Sequence, residues 1–359
     1  MTDGIRIDQL LAGFADGDAI SNEALIIREA LWLMGYDSDI YAPAAYTSPT
    51  LQSERRNIEE YQPRSCDICI HHYGIWSGAS RIFSGCQARK ILVYHNITPA
   101  EYFHGFSDEI TEQLREARQR LGETAQAADA VWACSEFNAA ELKGIGVQNT
   151  RLFPVPFSPG LLDGPPDAAV ARKLTGPLTN ILFVGRLAPN KRLEDLMAAF
   201  AWYNKTINPF SRLVIAGSEH GVPAYNAMLR LLVLEMDLAN VCFMGFLPAA
   251  GLAACYDAAD VYVCPSEHEG YCLPLVEAMH KRVPVLARDA GGKPEALGGA
   301  GVLYEGLAAE ELAALIHLAV EDKGLRREIL DSQDKRMKRL LARRIDKELE
   351  ELLRQFMSA

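Results

Sequence analysis

The chain has 359 residues, 49% of them hydrophobic, and a formal net charge of -11. That length holds two domains with cores of their own, and that charge argues against nucleic acid as the main partner, because phosphate backbones select basic surfaces. No apolar run reaches the roughly 18 residues of a membrane-crossing helix.

In chain order, Met1-Thr2-Asp3-Gly4 is acidic and leads straight into a strand-like segment, which reads as a cytoplasmic protein without a signal peptide. Residues 5–11 form a first strand, and Gly13-Phe14-Ala15-Asp16-Gly17-Asp18 form a loop. Residues 19–34 have helical spacing and stop at Gly35. Strands follow at 39–41, 66–71 and 91–95, then a helix over 109–128 and a strand over 130–134. Ser135 caps a helix running to 143, and 151–156 closes the first half. Pro159, Gly160, Gly164, Pro165 and Pro166 mark a change of character. A second series has strands at 181–184, 213–216, 241–244, 260–264, 283–287 and 301–303, with helices at 191–203, 224–236, 252–257 and 276–281 between them. Alternating strands and helices predict an α/β fold with parallel, doubly wound sheets. The divisions read as a first domain at 1–160, a linker at 161–176, a second domain at 177–335 and a C-terminal helix at 336–359 crossing back to the first. Residues 323–347 carry ten Lys or Arg. Such a run reads as a solvated helix face, with peripheral contact to an anionic membrane as the second reading.

Eight cysteines are scattered, several in apolar strands such as Cys242 and Cys264, which suits reduced, buried thiols. Cys66-Asp67-Ile68-Cys69 with His71 and His72 resembles a zinc corner. It lacks a second Cys-x-x-Cys, and a strand explains it. Asp16-Gly17-Asp18 and Asp37-Ser38-Asp39 are too short to specify a metal and read as turn chemistry. No metal ligand and no cofactor are expected.

The stretch Glu269-Gly270-Tyr271-Cys272-Leu273-Pro274-Leu275-Val276-Glu277 carries most of the chemistry. It follows a buried strand and opens a helix, so Glu269 falls in a strand-to-helix loop and Glu277 about a turn into the helix. Open α/β sheets bind ligands there, and helix N-termini suit phosphate. Flanking carboxylates can accept hydrogen bonds from sugar hydroxyls. Val184-Gly185-Arg186-Leu187-Ala188-Pro189-Asn190-Lys191-Arg192 follows the first strand of the second domain. Gly185 permits a tight turn, and Arg186 and Lys191 bring cations to the same sheet edge. The combination fits a nucleotide-sugar.

Gly185-Arg186…Asn190-Lys191 and the paired glutamates resemble the retaining glycosyltransferases of family four, which have the GT-B fold. The resemblance covers nearly the whole chain and is densest between 180 and 300. It implies two Rossmann-like domains facing across a cleft and transfer of a sugar from a nucleotide donor with retention. Arg186 and Lys191 would then bind the donor diphosphate, Glu269 the sugar hydroxyls and Glu277 the ribose. The backbone at Tyr271, Cys272 and Leu273 would approach sugar and phosphate, and Phe246 and Leu247 would lie at the base. The family often has Gly where this chain has Cys272, which bears on the pocket beside the sugar. His95, at the end of a first-domain strand, resembles the family's active-site histidine; a structural histidine satisfied by backbone is the alternative. Asn96, Thr98 and Glu101 are candidate acceptor contacts, and Gly17 matches a glycine near the diphosphate.

The donor expected is GDP-mannose, with UDP-hexoses behind it, and the acceptor a glycan or lipid-linked glycan. With no nucleophile clearly placed, a metal-independent front-face attack through an oxocarbenium-like state is the expected mechanism. A nucleotide-sugar epimerase of the same architecture and a non-catalytic nucleotide-sugar-binding partner are the alternatives. A dehydrogenase is disfavoured, because no Gly-x-Gly-x-x-Gly follows the first strand of either domain.

Overall fold

The computed structural model describes residues 4–358, so the acidic opening at 1–3 lies outside the described residues. The chain divides into two compact units. Met1–Ala100, Thr111–Pro156 and Arg343–Ala359 make the first, and Glu101–Ile110 with Phe157–Ala342 make the second.

The first unit is built on β1 (Ile7–Leu10), α1 (Ala19–Leu33), β2 (Ile40–Ala42), β3 (Arg56–Asn57), β4 (Ile68–Tyr73), α2 (Gly78–Gly85), β5 (Arg89–Tyr94), α3 (Asp108–Gln126), β6 (Ala130–Ala133), α4 (Glu136–Gly144) and β7 (Arg151–Leu152). Its sheet runs in the order β3-β2-β1-β4-β5-β6-β7, with every pair parallel. β4 is buried along its whole length and β5 from Ile91 onward, as a sheet covered on both faces requires. Helix starts follow their caps. Asp18 accepts the Ser21 N–H at 2.9 Å at the head of α1, and Ser135 accepts the Asn138 N–H at 3.1 Å at the head of α4.

The second unit continues with α5 (Ala168–Leu174), β8 (Thr179–Val184), α6 (Leu193–Trp202), β9 (Ser211–Ala216), α7 (Pro223–Glu235), β10 (Val241–Gly245), α8 (Ala249–Asp257), β11 (Val261–Cys264), α9 (Leu273–His280), β12 (Val285–Arg288), α10 (Lys293–Leu297), β13 (Val302–Tyr304), α11 (Ala309–Glu321) and α12 (Lys323–Leu341). Its sheet is parallel, in the order β10-β9-β8-β11-β12-β13. In both sheets the order reverses beside the first strand of the unit. The chain then enters α13 (Ile345–Ser358), which belongs to the first unit. Leu349, Leu353 and Phe356 recur at helical spacing and are buried with Ile27, Leu31 and Trp132 in that unit's core.

Three details differ from the sequence reading. The stretch 161–176 contains α5 rather than linker alone. Asp167 caps it, accepting the N–H groups of Ala169 and Val170 at 2.8 and 2.9 Å, and the Pro and Gly residues before it hid the helix. The boundary between units falls after Pro156, and α12 runs on to Leu341, so the chain joins the first unit from Arg343 rather than 336. The helix read over 191–203 begins at Leu193, because Pro189–Lys191 is a tight 3₁₀ turn and Arg192 takes φ +52.

The basic stretch 323–347 serves the fold in part. Arg326 donates to the Asp260 carbonyl at 2.7 Å, Arg336 to the carbonyls of Ala296 and Glu295 at 3.1 and 2.7 Å, and Arg343 to that of Pro154 at 3.1 Å. No helix among the described residues is long and apolar enough to cross a membrane.

Candidate active site

In the second unit, β8 and β11 are neighbours at the point where the strand order reverses. Chain leaving β8 turns toward β9, and chain leaving β11 turns toward β12. The loops after the two strands therefore flank an opening at their carboxyl ends, where doubly wound sheets bind ligands. Lys191 comes from the first loop and Glu269 from the second, and Lys191 Nζ donates to Glu269 Oε1 at 2.6 Å. The side chains are 18% and 12% exposed, so each charge depends on the other. Burial works against the Lys191 ammonium, but the Glu269 carboxylate outweighs it and holds the pKa above its ordinary value. Burial pushes Glu269 up, and Lys191 more than reverses this, so its pKa lies below the ordinary one. Two residues given separate roles from sequence thus form one pair.

Neighbouring backbone fixes this pair. Asn190 Nδ2 donates to the His268 carbonyl at 3.1 Å, and the Glu267 N–H donates to the Asn190 carbonyl at 2.9 Å, tying loop to loop. Behind Glu269 lies the turn after β12. The Gly292 N–H donates to the Glu269 carbonyl at 2.9 Å. A Cβ at Gly291 would stand 2.3 Å from the Glu269 carbonyl oxygen, and one at Gly292 2.1 Å from that of Gly270. Only glycine permits that approach. A Cβ at Gly217, likewise, would stand 1.9 Å from the Gly185 carbonyl oxygen, so the turns after β8 and β9 also meet backbone to backbone. Lys293, fully buried, donates its ammonium to the Ser266 carbonyl. Sequence reasoning missed Gly291, Gly292 and Lys293, although a Gly-Gly-Lys two residues past a strand was a visible signal.

The other expected donor residues fall around the same edge. Arg186 is exposed, its guanidinium 5.9 Å from the ring of Phe103, which belongs to the same unit. Gly185 lies at φ +153. Cys272 lies at φ +76, the left-handed region where the family's glycine would sit without strain, and Leu273 and Pro274 open α9 behind it. Tyr271 is buried. Glu277 accepts the Tyr256 hydroxyl at 2.8 Å, and burial raises its pKa. Phe246 is 51% exposed after β10, and Leu247 packs where a Cβ at Gly251 would stand 3.1 Å from it.

In the first unit His95 follows β5, and its ring is turned inward. Gln9 Nε2 donates to the Ala24 carbonyl at 2.9 Å, so Gln9 Oε1 accepts the His72 Nε2–H at 2.9 Å. Burial holds His72 neutral, so its Nδ1 is an acceptor and takes the His95 Nε2–H at 2.9 Å. Neutral His95, its pKa driven by burial down to about 3, then keeps its lone pair on Nδ1. Glu23 Oε2 lies 3.7 Å from that nitrogen. Neither Glu23 oxygen has a hydrogen-bond partner, and burial lifts the carboxyl to about 8, so it is protonated at neutral pH. One amide thus sets the tautomers of two histidines. Gln9 and Glu23 gave no signal in sequence, and His72 was visible there only as part of the segment that resembles a zinc corner.

Asn96, at φ +86, spends its amide on Asn138 and Glu141 at 2.9 and 3.2 Å. Thr98 is half-buried in the first unit, while Glu101 is exposed and belongs to the second. Gly17, at φ +70, precedes the cap Asp18, and Asp16 accepts the Thr50 hydroxyl, so that Asp-x-Asp triplet does turn work. In the Cys-x-x-Cys segment His71 spends both ring nitrogens at 3.0 Å, on the Leu10 carbonyl and the Ser80 hydroxyl. Among the described residues two clusters gather cation-binding atoms within 4.8 Å of one another, Glu23 with His72 and His95, and Cys264 with Glu269 and Cys272. The first is closed by its own hydrogen bond, and in the second the lysine ammonium already occupies the carboxylate.

Residues 173–336 match the family described as glycosyl transferases group 1. The second unit of this chain belongs to the group 1 glycosyl transferases. A GDP-mannose-dependent alpha-mannosyltransferase of Mycolicibacterium smegmatis is 38% identical over 143 residues, 39% of this chain and 34% of that protein. A D-inositol 3-phosphate glycosyltransferase of Kribbella flavida is 31% identical over 287 residues, 74% of this chain and 65% of that one. The chain therefore spans less than two thirds of the length of these relatives. Among solved structures, the sucrose-phosphate synthase of Thermosynechococcus elongatus aligns with a TM-score of 0.73 at 22% identity, covering 98% of this chain and 99% of that one. HepE of Anabaena, in complex with UDP and glucose, aligns at 0.72 and 19% identity, covering 98% and 100%. At such identities the likeness speaks for the fold, which is the two-domain α/β GT-B fold.

Proposed function

We propose that this chain is a retaining glycosyltransferase of family four, moving a hexose from a nucleotide-sugar to a hydroxyl of a glycan or lipid-linked glycan. The observation that carries the reading is the Lys191–Glu269 pair, 2.6 Å apart at the strand-order reversal of a group 1 unit. A donor diphosphate entering there draws Lys191 toward itself, and the freed Glu269 carboxylate accepts from the sugar hydroxyls. Arg186 adds a second cation. As the C1–O bond breaks, charge collects on the leaving phosphate, which Lys191 and Arg186 stabilise. The acceptor attacks from the same face and passes its proton to the leaving oxygen, so configuration is retained without a metal. Glu277, beside Tyr256, holds the ribose, and Tyr271, Cys272 and Leu273 line the sugar-phosphate through their backbone.

His95 acts through Nδ1 or its main chain, since its Nε2–H is committed to His72. GDP-mannose is the donor favoured, in line with the name of the Mycolicibacterium relative. UDP-hexoses come second, in line with the HepE complexes. Eight cysteines, none of them joined in a disulfide, support a reducing, cytoplasmic setting. Peripheral membrane contact loses support, because several cations of the basic stretch are bound to main-chain carbonyls.

The test is a thermal-shift screen with GDP-mannose, UDP-glucose, UDP-N-acetylglucosamine, UDP-galactose and free nucleotides, with and without EDTA. Acceptor-dependent release of the nucleoside diphosphate is then measured. A shift with one sugar nucleotide, unchanged by EDTA, and release only with acceptor are expected. Donor isomerisation without acceptor would make it an epimerase, and binding without turnover a silent partner.

A further inference from the structure

β11 ends on Cys264, a thiol only 1% exposed. After the Glu269 loop the chain comes back to it at Cys272, which is half-buried, and the two sulfurs stand 3.8 Å apart in hydrogen-bond contact. Cys264 Sγ is also 3.4 Å from the Ser266 hydroxyl. The buried Lys293 ammonium is bound to the Ser266 carbonyl, and Glu269 gathers with both sulfurs. Two thiols with nothing between them, beside a buried cation and at the mouth of a ligand site, have more than a packing role open to them. Their surroundings also divide them. The hydrogen bond from Cys272 and the charge of Lys293 favour the Cys264 thiolate, while that same bond, burial and Glu269 keep Cys272 a thiol.

We propose that Cys264 and Cys272 are a redox-active pair, closed to a disulfide by a peroxide and reopened by a dithiol. Hydrogen peroxide converts one sulfur to the sulfenic acid with loss of one water. The other sulfur displaces the hydroxyl as a second water. Two S–H bonds and one O–O bond are exchanged for one S–S bond and two O–H bonds. Reduction returns the hydrogens from the dithiol, which becomes the oxidised partner.

Closure has a mechanical consequence. The sulfurs must approach from 3.8 Å to about 2.05 Å. Cys264 is anchored on a central strand, so Cys272 moves. Behind its loop, Gly291 and Gly292 already sit against the carbonyls of Glu269 and Gly270 and leave no room for retreat. The displacement therefore reaches the head of α9 and the Lys191–Glu269 pair. Oxidation closes the donor site; this consequence rests on the function proposed above, whereas the disulfide itself does not.

The experiment treats the full-length protein with hydrogen peroxide and then with dithiothreitol. Unreduced protein is mapped by proteolysis at acidic residues, because Asp260 separates Cys264 from Cys255 and Glu269 separates it from Cys272. The expected result is a linked Cys264–Cys272 peptide that dithiothreitol reopens, absent in Cys264→Ser. Sugar-nucleotide binding is expected to be about tenfold or more weaker in the oxidised protein and restored by reduction. Sulfinic acid at either cysteine without a linked peptide would overturn the proposal. So would linkage of Cys272 to another cysteine, or linkage confined to cysteines other than Cys264 and Cys272. A linked peptide in a protein whose reduced form binds no sugar nucleotide would sink the proposed function and leave the redox pair standing.

Discussion

Replacing Glu23 with Gln is expected to stabilise the protein more strongly the higher the pH. Burial raises this carboxyl from 4.5 to about 8; Arg343 opposes the shift and Asp18 adds to it. Between those two values the folded protein holds one proton more than the unfolded chain. Its stability contribution is therefore complete below 4.5 and is lost as pH rises through 8. The loss is about 1.4 kcal/mol per pH unit, with a ceiling of about 5 kcal/mol across the window. Relaxation and water entry bring a realistic figure to roughly half the ceiling. Gln cannot titrate, so its advantage over the wild type grows across the window and is flat below it. The neutral histidines His71, His72 and His95 have the opposite slope in acid, but both proteins carry them and they cancel in the difference. Urea unfolding at several pH values, followed through Trp32, Trp76 and Trp132 of the first unit, measures it. A Gln-minus-Glu difference that does not change with pH would refute the protonated buried carboxyl.

Lys191→Ala should lower turnover on the order of a hundredfold or more, since it removes charge from the leaving diphosphate; near-normal turnover in an initial-rate assay would sink the proposed mechanism. Gly292→Ala puts a methyl 2.1 Å from the Gly270 carbonyl oxygen, so sugar-nucleotide binding should fall sharply while far-ultraviolet circular dichroism is kept. Asp18→Ala removes the cap of α1 and should cost about 1 kcal/mol, read as a lower urea midpoint at unchanged slope.

Much of the fold was legible because parallel strands buried on both faces are continuous apolar runs, and helices between them show helical spacing and caps. Ile91 to Tyr94, Leu213 to Ala216 and the Asp18 and Ser135 caps are local signals of that kind. α5 was not legible, because seven residues behind a Pro-Gly cluster carry too little periodicity. The loops with Arg186, Lys191 and Glu269, and the helix with Glu277, could be located, since each follows an identifiable strand. Their partners could not. Strand order, which no local pattern encodes, makes β8 and β11 neighbours and so joins Lys191 to Glu269. The same is true of Gln9, Glu23, His72 and His95, which lie far apart in the chain and act together only because β1, β4 and β5 are adjacent and α1 packs against them. Sequence by itself determined which elements form and which loops carry charge, because these depend on spacing and local sterics. Tertiary structure alone decided which charges and thiols meet, because desolvation and hydrogen bonding act between neighbours in space, whatever their separation along the chain.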